Sequence, residues 1–479
     1  MTKGLSVVVA VALSCVGVAV GLGGTAAGST EVRIDSRVLL DTAGGRQASF
    51  VIRLKDQADL SSAYRIRNQD ARGWYVYRAL KREAAQTQGP VRTMLASRGV
   101  SYRSFWVANV IVARGDRSLV EDLAARPDVG AIESNDRSRW LRDGTQAHGS
   151  VRSPLTVEPG VSQVHAPDLW ALGYTGQGIV IGSQDTGMRW THHALKPHYR
   201  GWNGSTAHHD YNWWDAIHSG GGSCTPSHQE PCDDNGHGTH TTGTAIGDDG
   251  AGNQIGVAPG AKWIGCRNMD QGSGTPETYT ECFQFFIAPT DLNGQNADPT
   301  RRPHVENNSW HCTPSEGCAA DTLRQIVENT EAAGIFVEAS ADSNGPGCST
   351  LTAPPAIYAA SLTTGAINGS STSVAGFSSR GPVTIDGSNR IKPDLVAPGV
   401  NVRSSVASSD SAYSIFSGTA MAGPHVAGVV ALLWSAFPSL SRNIAATKEL
   451  LESTANANVT VANGTQCGGI DHVPNNHFG

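Results

Sequence analysis

Apolar and polar residues alternate along Ser49-Phe50-Val51-Ile52-Arg53-Leu54-Lys55, the period of a half-buried strand. Acidic and basic residues interspersed at helical spacing predict a helix over 79–97, and the run 105–113 predicts a second strand. A short helix over 118–126 and a closing strand over 129–133 complete a small α+β unit spanning 28–145. Residues 137–154 are mostly polar, contain Gly and Pro, and predict a linker. From residue 157 the texture changes. Short apolar runs at 178–182, 263–266 and 335–337 predict buried strands, with helical patterns at 321–333 and 426–434. Such alternation predicts an α/β fold with a doubly wound, mostly parallel sheet, whose sites form at the carboxyl ends of strands. The stretch 190–232 is a Gly-, His- and Trp-rich insertion with little periodicity, and there is no internal repeat.

The apolar run 5–22 follows Lys3 and precedes the small residues Thr25-Ala26-Ala27. That pattern predicts an export signal over 1–27 and a secreted chain beginning near Gly28. The competing reading is an uncleaved anchor, and Ala12-Leu13-Ser14-Cys15 is a poor lipoprotein cleavage box. The 36 basic and 42 acidic residues give a net charge of −6 with no long run of either sign, which argues against nucleic acid or an anionic membrane as partner. Nine cysteines become eight once Cys15 leaves with the signal. No paired C-x-x-C knuckle suggests zinc, so disulfides in an oxidising compartment are expected. Spacing leaves their connectivity open. The simplest arrangement joins 224–232, 266–282 and 312–318 locally and clamps 348 to 467.

Five segments carry candidate chemistry. Asp185-Thr186-Gly187 follows a predicted strand, and Asn235-Gly236-His237-Gly238-Thr239-His240 opens a helical stretch. Phe377-Ser378-Ser379-Arg380-Gly381-Pro382 and Lys392-Pro393-Asp394-Leu395-Val396-Ala397-Pro398-Gly399 precede Ser417-Gly418-Thr419-Ala420-Met421-Ala422-Gly423-Pro424-His425, which opens another helix. In this order they resemble the subtilases, from about residue 157 onward, and the preceding region resembles the subtilase propeptide. The resemblance implies a peptidase domain over 150–479 that acts on polypeptides, with 28–145 as an inhibitory domain in cis. It also implies Asp185 as the carboxylate that orients the base and His237 as the general base of a serine protease. His240 and His425 read as packing residues of their helices.

Three departures from the family pattern stand out. Ala420 occupies the position of the nucleophilic serine, and a methyl group cannot attack a carbonyl. Loss of this serine costs a subtilisin about 10⁶-fold in turnover, or about 8 kcal/mol of barrier. The family's A-G-N-S-G-P becomes Ala341-Asp342-Ser343-Asn344-Gly345-Pro346, so Ser343 takes the place of the oxyanion donor unless a one-residue slip brings in Asn344. An Asp342 carboxylate there would repel an oxyanion. Ser309-Trp310-His311 replaces the substrate-binding S-x-G, with His311 either filling the pocket or tilting outward. The chain ends at Asn476-His477-Phe478-Gly479, short of the family's closing helix, which predicts an uncovered last layer or a truncated product.

The expected function is therefore a secreted, monomeric subtilase homologue that is catalytically inactive or severely impaired and still binds extended peptides. One rival is an active secreted endopeptidase, using Ser417 or Thr419 as nucleophile or carrying Ala420 as an introduced change. Another is a decoy or interaction protein whose groove its own propeptide keeps closed. No cofactor is required and no metal site is assigned. His208, His209, Asp210, Asp215 and His218 read as a solvated loop, and Trp190, Trp202, Trp213 and Trp214 as its anchors. Structural calcium occurs in many subtilases; Asp233, Asp234, Asp248 and Asp249 are candidates by composition alone.

Overall fold

A computed structural model describes residues 32–139, 156–225, 229–369 and 371–479. The export signal and the 140–155 part of the linker lie outside the described residues. Strands β1 (Arg33–Ile34), β2 (Ala48–Leu54), β3 (Tyr102–Phe105), β4 (Val110–Gly115) and β5 (Val129–Ser134) form a mixed sheet in the order β1-β5-β2-β4-β3. The apolar run 105–113 is not one strand. It is interrupted by a turn at Asn109, whose φ of 50° reverses the chain and whose side-chain amide donates to the carbonyl of Asp56 at 2.7 Å. The predicted helix over 79–97 is two helices, Gln69–Thr87 and Gly89–Ser97, divided where Gly89-Pro90 starts the second. Inside the predicted linker, β6 (Ser138–Arg139) is a strand.

The larger sheet is built from β7 (Val180–Asp185), β8 (Trp213–Asp215), β9 (Lys262–Arg267), β11 (Val305–Asn308), β12 (Phe336–Ser340), β13 (Leu362–Asn368) and β14 (Leu395–Val400), while β10 (Ser273–Gly274) stands outside it. Its seven strands run parallel in the order β14-β13-β12-β11-β7-β9-β8. The 190–232 insertion thus contributes an edge strand, β8, that its irregular pattern conceals. Two further strands, β15 (Val402–Ser405) and β16 (Tyr413–Phe416), form a separate antiparallel pair. Strand order reverses between β7 and β11, so a crevice opens at their carboxyl ends. The helix Thr419–Ala436 crosses the sheet buried over most of its length. Gly423 lets the Glu338 carboxyl of β12 approach the helix, since a Cβ there would lie 2.4 Å from its Oε1. Disulfides join Cys224–Cys232, Cys266–Cys282, Cys312–Cys318 and Cys348–Cys467. At the far edge, Phe478 packs on Ile367 and Val374, covering a face expected to be bare.

The two sheets share one interior. Val51, Val76, Leu80, Phe105 and Val112 of the N-terminal unit are buried together with Tyr279, Phe283, Ile326 and Val337 of the larger one. Polar contacts border this seam. Asn135 accepts from the backbone N–H of Glu277, in the first turn of the helix Pro276–Ile287, at 3.0 Å. Buried Arg72 donates to the carbonyls of Ala332 and Glu331 at the end of the helix Arg324–Ala332, at 2.7 and 3.1 Å. Finally, β6 runs antiparallel to β10, with Ser138 opposite Gly274 and Arg139 opposite Ser273. Because the core is continuous, calorimetry of the full chain is expected to show one unfolding transition. Leu80→Ala should lower it as a whole, at a cost of about 2–5 kcal/mol; two separate transitions, only one of them shifted, would contradict the shared core.

Candidate active site

The site begins with Asp185 at the carboxyl end of β7 and His237 at the start of the helix His237–Ile246. Both are buried, and Nδ1–H of His237 donates to the two Asp185 oxygens at 2.8 and 3.0 Å. Burial by itself lowers the imidazole's basicity; the adjacent Asp185 carboxylate more than offsets it, so His237 sits above its ordinary pKa. Gly238 must be glycine, since a Cβ would stand 2.1 Å from the carbonyl oxygen of Gly187 and 2.9 Å from Cβ of Asp185.

Asp233 holds these two segments together, a role its sequence position did not reveal. One oxygen accepts from Thr186 Oγ1 at 2.9 Å and from the N–H groups of Asn235 and Gly236 at 3.0 and 2.8 Å. The other accepts from the N–H of Thr239 at 2.9 Å, capping the helix. Its neighbour Asp234 pairs with buried Arg267, and Asp249 accepts from Asn253 and Tyr413 at 2.6 and 3.1 Å. These carboxylates are thus engaged within the protein, and among the described residues no cluster of three or more His, Cys, Asp or Glu could hold a metal ion. The insertion's polar residues are dispersed: His209 bonds Tyr199, Asp215 pairs with Arg267 and His218 with Glu281. Trp213 is buried; Lys196 lies 4.2 Å from the ring centre of Trp202 and also faces Trp190, and Trp214 donates to Glu281 at 2.8 Å.

Ala420 lies in the first turn of the helix Thr419–Ala436, 7% exposed. Ser309 Oγ donates to its carbonyl at 2.9 Å and accepts from Asn307 at 3.0 Å, fixing the 309–311 segment on one side. On the other, Ser343 Oγ accepts from the N–H of Thr419 at 3.3 Å. Asp342 turns away from that point. Its carboxylate accepts from the N–H of Ser343 at 2.5 Å and from the side-chain amide of Asn344, and its Oδ2 lies 3.2 Å from Nε2 of His311. Asn344 is thereby tied to Asp342. His311 is buried, which settles its orientation inward, and burial pushes its pKa down to about 3. Trp310 is buried as well, stacked on Tyr279 with centroids 4.0 Å apart. His240 and His425 are fully packed: His240 stacks on Phe416 at 4.3 Å, and His425 bonds the carbonyl of Met421 at 2.9 Å.

A match to the family model described as the Subtilase family covers residues 176–477. The chain belongs to this family. It is 38% identical over 365 residues to Bacillopeptidase F of Bacillus subtilis (strain 168), an overlap of 74% of this chain and 24% of that protein. It is 28% identical over 362 residues to Subtilisin E of the same organism, covering 74% of this chain and 78% of the relative. Subtilisin of Bacillus pumilus is 30% identical over 305 residues, 63% of this chain and 92% of that one. The chain therefore spans about a quarter of Bacillopeptidase F and most of the two subtilisins.

Behind the subtilase site lies a polar layer that the strand patterns hid. Gln184, next to Asp185, donates to the buried carboxyl of Glu306 and accepts from Asn268 at 3.0 Å. Burial pushes Glu306 up to about 8 and holds Glu338 well above the usual carboxyl range. The unfolded chain releases the Glu306 proton near the ordinary pKa of about 4.3, whereas the fold keeps it to about 8. The Glu306 contribution to stability is thus full at acid pH and is lost as pH rises through this window. Glu306→Gln is expected to gain stability relative to the wild type by about 1.4 kcal/mol per pH unit between pH 5 and 8. Urea melts across that range check this; a difference independent of pH would show that the carboxyl is not held neutral.

Proposed function

We propose that this chain is an exported subtilase homologue without peptidase turnover, which keeps its N-terminal unit as an inhibitory domain in cis and retains a groove for extended polypeptide. In this reading Asp185 and His237 are the family's orienting carboxylate and base, Ala420 stands at the nucleophile position and Ser343 at that of the oxyanion donor. The observation that carries it is Ala420 itself, in the first turn of the helix Thr419–Ala436, with a side chain that has no lone pair. The neighbouring hydroxyls do not replace it. Ser417 Oγ accepts from the N–H of Asn401 at 2.9 Å, and Thr419 Oγ1 faces Ser343 at 3.4 Å. A misplacement of about 1 Å is enough to cost a hundredfold in such chemistry.

Peptide binding is supported by the pairing of β6 with β10, a strand added antiparallel to a short edge, which is how extended segments are commonly held. Four disulfides suit an oxidising compartment and hence export. A serine-directed fluorophosphonate is expected to leave the wild type unlabelled, and casein to remain uncut. Ala420→Ser should give weak labelling, and adding Ser343→Asn should raise the rate by about 10²-fold or more, the worth of one oxyanion donor. Labelling of the wild type at any residue from 417 to 420 would overturn the proposal.

A further inference from the structure

Two loops that leave adjacent parallel strands flank the helix start at Ala420, and the space between them is the candidate recess. The 309–311 segment continues from β11 and the 341–344 segment from β12, and the two strands pair directly. Ser309 fixes the first to the carbonyl of Ala420, and Ser343 fixes the second to the N–H of Thr419. A peptide whose backbone passes the start of this helix would point one side chain between the loops.

That space is spanned by the protein's own side chains. Nε2 of His311 lies 3.2 Å from Oδ2 of Asp342, and both residues are buried, at 5% and 8% exposure. Nothing about the pair is loosely held. Asp342 takes a φ of 72°, a conformation unfavourable for a residue with a Cβ, which persists only where its surroundings enforce it. The N–H of Ser343, the amide of Asn344 and the backbone N–H of Ser379, which donates to the Asp342 carbonyl at 3.1 Å, supply that enforcement. Displacing the imidazole would strip a buried carboxylate of its 3.2 Å contact with Nε2, a costly change. The pair therefore stays in place between the loops.

We propose that His311 and Asp342 plug this recess and restrict any peptide seated in the groove to glycine at the residue beside Ala420. The proposal rests on the reading that the groove binds peptide, and it makes these two positions specificity-determining. The test uses the full chain, in which β6 already lies on β10 and so handicaps both peptides alike, and compares two p-nitroanilide peptides, succinyl-Ala-Ala-Pro-Gly and succinyl-Ala-Ala-Pro-Phe, with binding read by calorimetry and hydrolysis by released p-nitroaniline. The wild type is expected to favour the glycine peptide. The double variant His311→Gly/Asp342→Gly should bind the phenylalanine peptide about a hundredfold more tightly than the wild type does, the gain from burying one aromatic side chain. His311→Ala alone, which leaves the backbone of Asp342 undisturbed, should move in the same direction by a smaller factor. Equal binding of both peptides by the wild type overturns the plug. So does the absence of any gain for the phenylalanine peptide in both variants while the glycine peptide binds. Binding of neither peptide to any of the three proteins overturns the groove reading, and the plug with it. Release of p-nitroaniline by the wild type would instead strike at catalytic silence, leaving the preference between peptides to be judged separately.

Discussion

The apolar seam between the N-terminal sheet and the helices Pro276–Ile287 and Arg324–Ala332 is the constraint on which the rest of this molecule depends. Val76, Leu80 and Phe105 are buried against Tyr279, Phe283 and Ile326, so separating the units would return a large apolar area to water. The polar contacts at the rim add direction more than strength. Arg72 reaches carbonyls at one helix end and Asn135 an N–H at the start of another, and each fixes the angle at which the sheet sits. With that angle set, β6 is delivered to β10. In an enzyme that cuts its own chain such an arrangement is temporary. Under the proposed reading of Ala420 it has no internal means of ending.

The pair Asp185–His237 is also structural. Asp233 caps the helix that carries His237 and holds Thr186 beside Asp185, so altering any member loosens the crossing of β7 with that helix. Gly238 leaves no room for a different arrangement. Near Ala420, Asp342 contacts both His311 and the N–H of Ser343, and Ser343 accepts from the N–H of Thr419 at the helix start.

Much of this was legible in the sequence, for reasons that differ by residue. Asp185 and His237 sit in motifs whose glycines and threonines are fixed by close backbone approach, so the pattern survives as text. The parallel sheet announced itself through apolar runs such as 335–337, although Glu338 ends that run and gives no sign of being buried. The β3–β4 turn was hidden because Trp106, Val107 and Ala108 are apolar and look like strand. Strand β8 was hidden for the opposite reason, since it is three residues long within a Gly-, His- and Trp-rich stretch of little periodicity. The contact between His311 and Asp342 could not be read at all, because sequence places the two far apart and only the pairing of β11 with β12 brings them together.

The central claim is that this subtilase scaffold does not turn over and so keeps its N-terminal unit. Intact mass and N-terminal sequence of the protein secreted by a protease-deficient host test it most directly. The account predicts a single chain beginning near Gly28, with the 28–145 unit still attached. A chain beginning near residue 150 would show that the protein cut itself, and would contradict the reading of Ala420.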